Sequence, residues 1–177
     1  ALVGSAASTA PSPPNAPPLP YRDWGACPFE CCVYAEWEVR EKVELHQDMC
    51  ESSPVVHVLE PGTKLPAVTG VVITSTLGIA RALEPRTIEA NGNCHLEAGE
   101  QVHILHYLGE GFHLLWIDGK LAEAELPPMD DPEWARSIGI EVLAEPETEW
   151  WVLLRYSACQ VGWTKETKKF AGLDACG

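Results

Sequence analysis

Fourteen glycines and fifteen prolines are spread along the 177 residues. Both interrupt regular structure, glycine through its loose backbone and proline through its missing N–H. Few stretches between them keep a helical apolar period. Most are short and rich in β-branched and aromatic residues, so they predict strands. Turn signals at intervals of about 8 to 12 residues predict an all-β barrel or sandwich.

The strand segments follow one another closely. "EWEVREKVEL" and "SPVVHVLEPG" come first, the second ending at Pro61-Gly62. "KLPAVTGVVITSTLGIARAL" turns near Leu77-Gly78. "EQVHILHYLGEG" alternates, with Val102, Ile104 and Leu108 on one face. "FHLLWIDGKLAEAEL" carries the strongest hairpin signal, Asp118-Gly119, and "EWWVLLRYSACQVGWTK" supplies two more strands. One helical turn is predicted in "DDPEWARSIG", capped by Asp130 or Asp131, with Pro132 in the first position and Gly139 as the stop. There is also an internal echo. "LEPGTKLPAV" from Leu59 and "LEAGEQVHIL" from Leu96 both read as strand, Gly turn, strand, with Leu65 corresponding to Val102. Two copies predict two related β modules.

Charge excludes whole classes of partner. With 26 acidic and 12 basic residues the net charge is -14. Nucleic acid and anionic lipid surfaces would be repelled. No apolar run reaches the ~18 residues of a membrane span. The chain is 46% apolar, enough to build a core.

The first 20 residues carry no charge, and six prolines follow position 10. Residues 1–22 are therefore expected to form an extended, Pro-rich arm. "ALVGSAASTA" has the small-residue character of the end of a signal peptide that has been processed, which implies export. The arm offers Pro-x-x-Pro spacings (Pro11/Pro14, Pro14/Pro17, Pro17/Pro20), the kind aromatic grooves bind.

Seven cysteines stand at Cys27, Cys31, Cys32, Cys50, Cys94, Cys159 and Cys176. No Cys-x2-Cys knuckle is present, so zinc, haem attachment and thioredoxin-like chemistry are not indicated. In an exported β protein such cysteines predict disulfides. Cys176 is expected to reach back to the "GACPFECC" cluster and staple both ends, with Cys31 and Cys32 taking different partners. The odd count predicts three bridges and one remaining sulfur. His103 and His106 lie three apart on a strand, hence on opposite faces, and do not form a metal pair; His113 can join one of them only across a hairpin. The histidines are expected at the surface or half-buried. No nucleophile motif or phosphate loop appears, and no cofactor or metal is expected.

Aromatics gather in the second half: Trp116, Trp150, Trp151, Tyr156 and Trp163. Along "WWVLLRYS", Trp150, Val152, Leu154 and Tyr156 share one face, and Trp151, Leu153 and Arg155 the other. One face is core. The other is either covered by residues 122–146 or exposed as a groove for peptide or glycan.

Residues 40–167 resemble bacterial SH3-like (SH3b) domains. "SSPVVHVLEPGTKLPAVTG" is similar to the first half of such a module and "EAGEQVHILHYLGEGFHLLWIDGK" to the same part of a second. "WWVLLRYSACQVGWTK" is similar to the closing hairpin, with Trp151, Val152, Arg155 and Gly162-Trp163 in the family's places. The first module has "GIARAL" where a Gly-Trp would stand. The resemblance implies two tandem five-stranded barrels, at 23–86 and 87–177, the second with an insertion at 122–146 and a Cys-containing tail. It also implies binding to peptide or cell-wall material. The expectation is a secreted or periplasmic, disulfide-bonded, non-catalytic binding protein of the envelope or extracellular space. Two alternatives stand beside it: a structural subunit self-associating through its arm, and an enzyme with an unrecognised site between modules.

Overall fold

A computed structural model describes residues 15–89 and 93–176. The expected all-β fold is what forms. Its strands are β1 (Tyr21–Trp24), β2 (Glu36–Val39), β3 (Val43–His46), β4 (Val55–Leu59), β5 (Lys64–Thr76), β6 (Gly78–Ala82), β7 (Arg86–Ile88), β8 (Cys94–Leu96), β9 (Gln101–Gly109), β10 (Phe112–Ile117) and β11 (Lys120–Glu125). The helix α1 (Pro132–Ile138) follows, then β12 (Ile140–Ala144), β13 (Glu147–Ser157), β14 (Gln160–Thr164), a 3-10 turn (Thr167–Lys169) and β15 (Phe170–Ala171). The helix starts and stops where its sequence says. Asp131 accepts from the Trp134 backbone N–H at 2.9 Å, Pro132 stands in the first turn, and Gly139 closes it with φ 73°. The Asp118-Gly119 hairpin joins β10 to β11.

All pairings are antiparallel. One sheet runs β15-β2-β5-β13-β14-β3-β4, with β1 added along β5; the other runs β11-β10-β9-β6-β12, and β7 pairs with β8. The two sheets repeat one plan. β5 lies between β2 and β13 as β9 lies between β6 and β10, and β15 closes on β2 as β12 closes on β6. The echo seen in the sequence is the clearest sign of this. Gly62 donates to Val39 O at 2.8 Å and Val39 donates to Thr63 O at 2.9 Å; Gly99 donates to Ala82 O at 2.8 Å and Ala82 donates to Glu100 O at 2.9 Å. Gly62 and Gly99 hold φ of 85° and 89°, the left-handed region where a Cβ is strained.

The order in space corrects the tandem division at 86/87. The closing hairpin β13–β14 pairs with β5 and β3, not with the strands of the second sheet. Residues 78–144 thus form a unit placed between two strands of the other, and the units are nested. Residues 122–146 are not an insertion covering the aromatic strand. They hold the end of β11, α1 and β12, and Ala122, Ala124, Leu126, Ile140 and Val142 fill the second core. The reason is non-local: Trp151 of β13 stands opposite Val71 of β5, and Val152 and Leu154 share a core with Trp37, Val39, Leu45 and Leu65.

The two cores differ in kind. The first packs Trp37 and Phe170 among aliphatics, with Tyr34, Trp150 and Tyr156 against it; the second is aliphatic, with Cys94. Thr74 Oγ1 donates to Leu105 O at 2.8 Å and ties β5 to β9.

The chain ends are clamped. Disulfides join Cys27 to Cys32 and Cys31 to Cys176, the latter closing a separation of 145 residues. Val33 N–H donates to Leu173 O and Ala175 N–H to Cys31 O, both at 2.8 Å, so backbone bonding supports the clamp. Three bridges are not formed among the described residues. Cys50 and Cys159 are exposed thiols on separate loops, and Cys94 lies buried outside both bridges. His103 and His106 are not surface histidines either; both are buried, because β9 is covered on both faces.

The arm departs from its expected boundary, since Tyr21–Trp24 already forms β1. Pro17 is buried, and the Trp116 indole N–H donates to Asn15 O at 2.5 Å. Of the Pro-x-x-Pro spacings, Pro17/Pro20 lies within the described residues. Pro11, Pro14 and the signal-like stretch 1–10 lie outside them. No described helix is long and apolar enough to cross a membrane.

Candidate functional site

Strand β13 places most of the aromatic residues singled out by sequence, and its alternation sends them to different surroundings. Trp150 faces the first core and donates its indole N–H to Tyr34 Oη at 3.1 Å, with Phe29 edge-on at 5.7 Å. Gly70 lies beneath this pair; a Cβ there would stand 2.2 Å from Tyr34 Oη and 2.6 Å from Trp150 Nε1. Trp151 faces the other way and is 1% exposed. Tyr156 stacks on His57 at 4.3 Å with an interplanar angle of 2°. Trp163 meets Trp24 edge-on at 6.2 Å, and Trp116, on the other sheet, meets Tyr21 at 6.4 Å. The five aromatics therefore do not form one platform. Trp150 is structural, Trp116 is partly covered by the arm, and Tyr156 and Trp151 line two separate grooves.

The groove beside Trp151 has a volume of about 360 Å³ and holds three of the chain's six lysines, Lys42, Lys165 and Lys169. Its charges are largely answered internally. Lys165 Nζ lies 2.6 Å from Glu149 and 3.2 Å from Glu51, and 5.7 Å from the Trp151 ring. Lys169 pairs with Glu166. Bonding between Lys165 and Glu149 pushes the ammonium up from 10.5 and the carboxyl down from 4.5. An anion entering here must displace carboxylates already in place.

The groove beside Tyr156 has about 330 Å³ and a different character. Leu59, Leu65 and Pro66 give it an apolar wall. Lys64 and Arg155 supply two positive charges, and no carboxylate lines it. Arg155 stood in the sequence as a member of one strand face and of the SH3-like closing hairpin, and Lys64 and His57 were missed. They come from β4, β5 and β13, up to 98 residues apart, and no local motif marks them.

Other reactive groups have structural partners. His106 Nε2 lies 2.8 Å from Asp23 Oδ2, while its Nδ1 lies 2.8 Å from Tyr107 O. The pair fastens β1 to β9. His113 is pushed below 6.5, first by burial and then by the charge of His106. The exposed Cys50 thiol is lowered from 9.0 by hydrogen bonding with Ser52. Glu30, Cys31 and Cys176 come within metal-binding distance, but both sulfurs are spent in a disulfide and offer no thiolate.

None of the protein-family models, curated proteins or solved structures compared with the chain matches it.

Proposed function

We propose that this chain is a non-catalytic binding module that works in an oxidising compartment, secreted or periplasmic, and takes peptide or cell-wall material. The observation that carries the reading is the open groove at Tyr156, lined by a stacked aromatic pair, an apolar wall and two cations. Such a site offers recognition surface: a planar face, apolar contact and a few polar groups that fix orientation. The disulfides support the compartment, because a reducing cytosol would keep four such sulfurs apart. The SH3-like resemblance supports the ligand class, and the repetition of one strand plan in both units agrees with two modules of one type.

The test is retention on immobilised peptidoglycan and on a peptide array, comparing wild type with Tyr156→Ala. Retention of the wild type and its loss in the variant are expected. Equal retention of both, or none by either, counts against the groove as the binding site.

A further inference from the structure

The groove at Tyr156 opens beside an unusual edge. β4 ends its sheet, and among the described residues nothing pairs with its outer side. Exposed edges commonly carry charge, proline or a bulge that blocks pairing with another strand. β4 reads Val-Val-His-Val-Leu, with no Lys, Asp or Glu, and Val55, Val56 and Val58 are 45, 37 and 36% exposed. In a chain of net charge -14, this is an uncharged, β-branched strip facing outward. His57 and Leu59, two apart on β4, both line the groove. A strand added along this edge would send alternate side chains toward it.

Charge then selects the occupant. Four of the twelve Lys and Arg side chains are ion-paired among the described residues: Arg40 with Glu38, Arg81 with Glu141, Lys165 with Glu149, Lys169 with Glu166. Lys64 and Arg155 have no ion pair among the described residues, and both line this groove. Two like charges facing one cleft without a counter-ion favour an anionic guest, and the planar Arg155 guanidinium suits a carboxylate.

We propose that β4 takes an extended peptide by strand addition, and that a carboxylate side chain of that peptide is held by Lys64 and Arg155. The proposal rests on the reading of the chain as a binding module and specifies the ligand as an acidic, extended peptide.

The test uses fluorescein-labelled, blocked Thr-Glu-Val-Glu-Thr, its Gln counterpart and a backbone N-methylated form, each titrated by anisotropy into the whole chain at low and high salt. The Glu peptide is expected to bind at least tenfold more tightly than the Gln and N-methylated forms and to shift the backbone amides of Val55 to Val58 in NMR spectra. Arg155→Gln and Lys64→Gln should each weaken the Glu peptide about fivefold or more and flatten its salt dependence, with the Gln peptide unaffected. Both sites are surface positions, so unchanged melting and near-UV spectra identify variants that still fold. Equal affinity for Glu and Gln peptides, indifference to N-methylation, or β4 already paired with β4 of a second copy would each overturn the proposal. Retention on peptidoglycan that survives both substitutions would overturn it while leaving the binding-module reading intact; loss of all binding by wild type would remove both.

Discussion

The two units share a strand plan but have been given different tasks. The inner unit, residues 78–144, buries an aliphatic core, and its strand pair β7–β8 delivers Ile88, Cys94 and Leu96 to that core. The outer unit has an aromatic core, both disulfides, and a β3–β4 pair that leaves four of five β4 residues exposed. Both grooves described above belong to the outer unit. One plan thus serves as a closed support in one copy and as an open surface in the other. What separates them is how that strand pair joins: β3 pairs with β14 and leaves β4 at an open edge, whereas β7–β8 forms a sheet of its own.

The comparison can be broken at several points. The largest effect is expected at the Cys31–Cys176 clamp of the outer unit. Replacing both sulfurs with alanine releases a 145-residue loop, which on the loop-entropy account costs about 5 kcal/mol. The Cys27–Cys32 bridge spans 5 residues and should cost only about 2 kcal/mol. Urea unfolding of the two double variants checks the difference. Next, Trp37→Ala should remove about 3–5 kcal/mol from the outer core, against about 1 kcal/mol for Ile104→Val in the inner one. Gly70→Ala should cost about 1–3 kcal/mol, because the added methyl meets both Tyr34 and Trp150. A Tyr34→Phe background, which removes one of those atoms, should reduce that cost.

The smallest effect concerns pH and the inner unit. His113 is held below its ordinary 6.5, chiefly by burial. The unfolded chain therefore takes up the proton more readily than the folded one. His113 contributes stability above pH 6.5 that is lost as pH falls through its folded value. Unfolding free energies from urea titrations at pH 7.5 and 5.5 should differ less in His113→Gln than in wild type, by under about 1 kcal/mol.

Local signals were legible in the sequence, and distant ones were not. The turns at Gly62 and Gly99, the Asp118-Gly119 hairpin and the caps of α1 are set by residues within a few positions of each other, and they stand where the sequence puts them. The clamp was legible because a cysteine cluster near the start and the single Cys176 near the end lack metal spacing. The nesting was hidden because the pattern of "WWVLLRYSACQVGWTK" completes either unit equally well. Only the pairing of Trp151 with Val71, 80 positions earlier, decides between them. The burial of His103 and His106 was hidden for a related reason: alternation along β9 shows one apolar face, and the cover on its other face comes from separate parts of the chain. For the candidate site, Tyr156 was in view, whereas Lys64 and His57 join it only through the fold.

The nesting also sets an order of assembly. A chain emerging from synthesis exposes β2 to β5 first, yet those strands lack their partners until β13 to β15 appear. The unit at 78–144 has all its strands in hand earlier, and on a chain delivered from its N-terminus it is expected to fold first. It then brings Thr76 and Glu147, which face each other in register, to the start of the hairpin that closes the outer unit. On that order the copy encoded second is complete first, and Cys176 reaches Cys31 only when the last of the chain has been delivered.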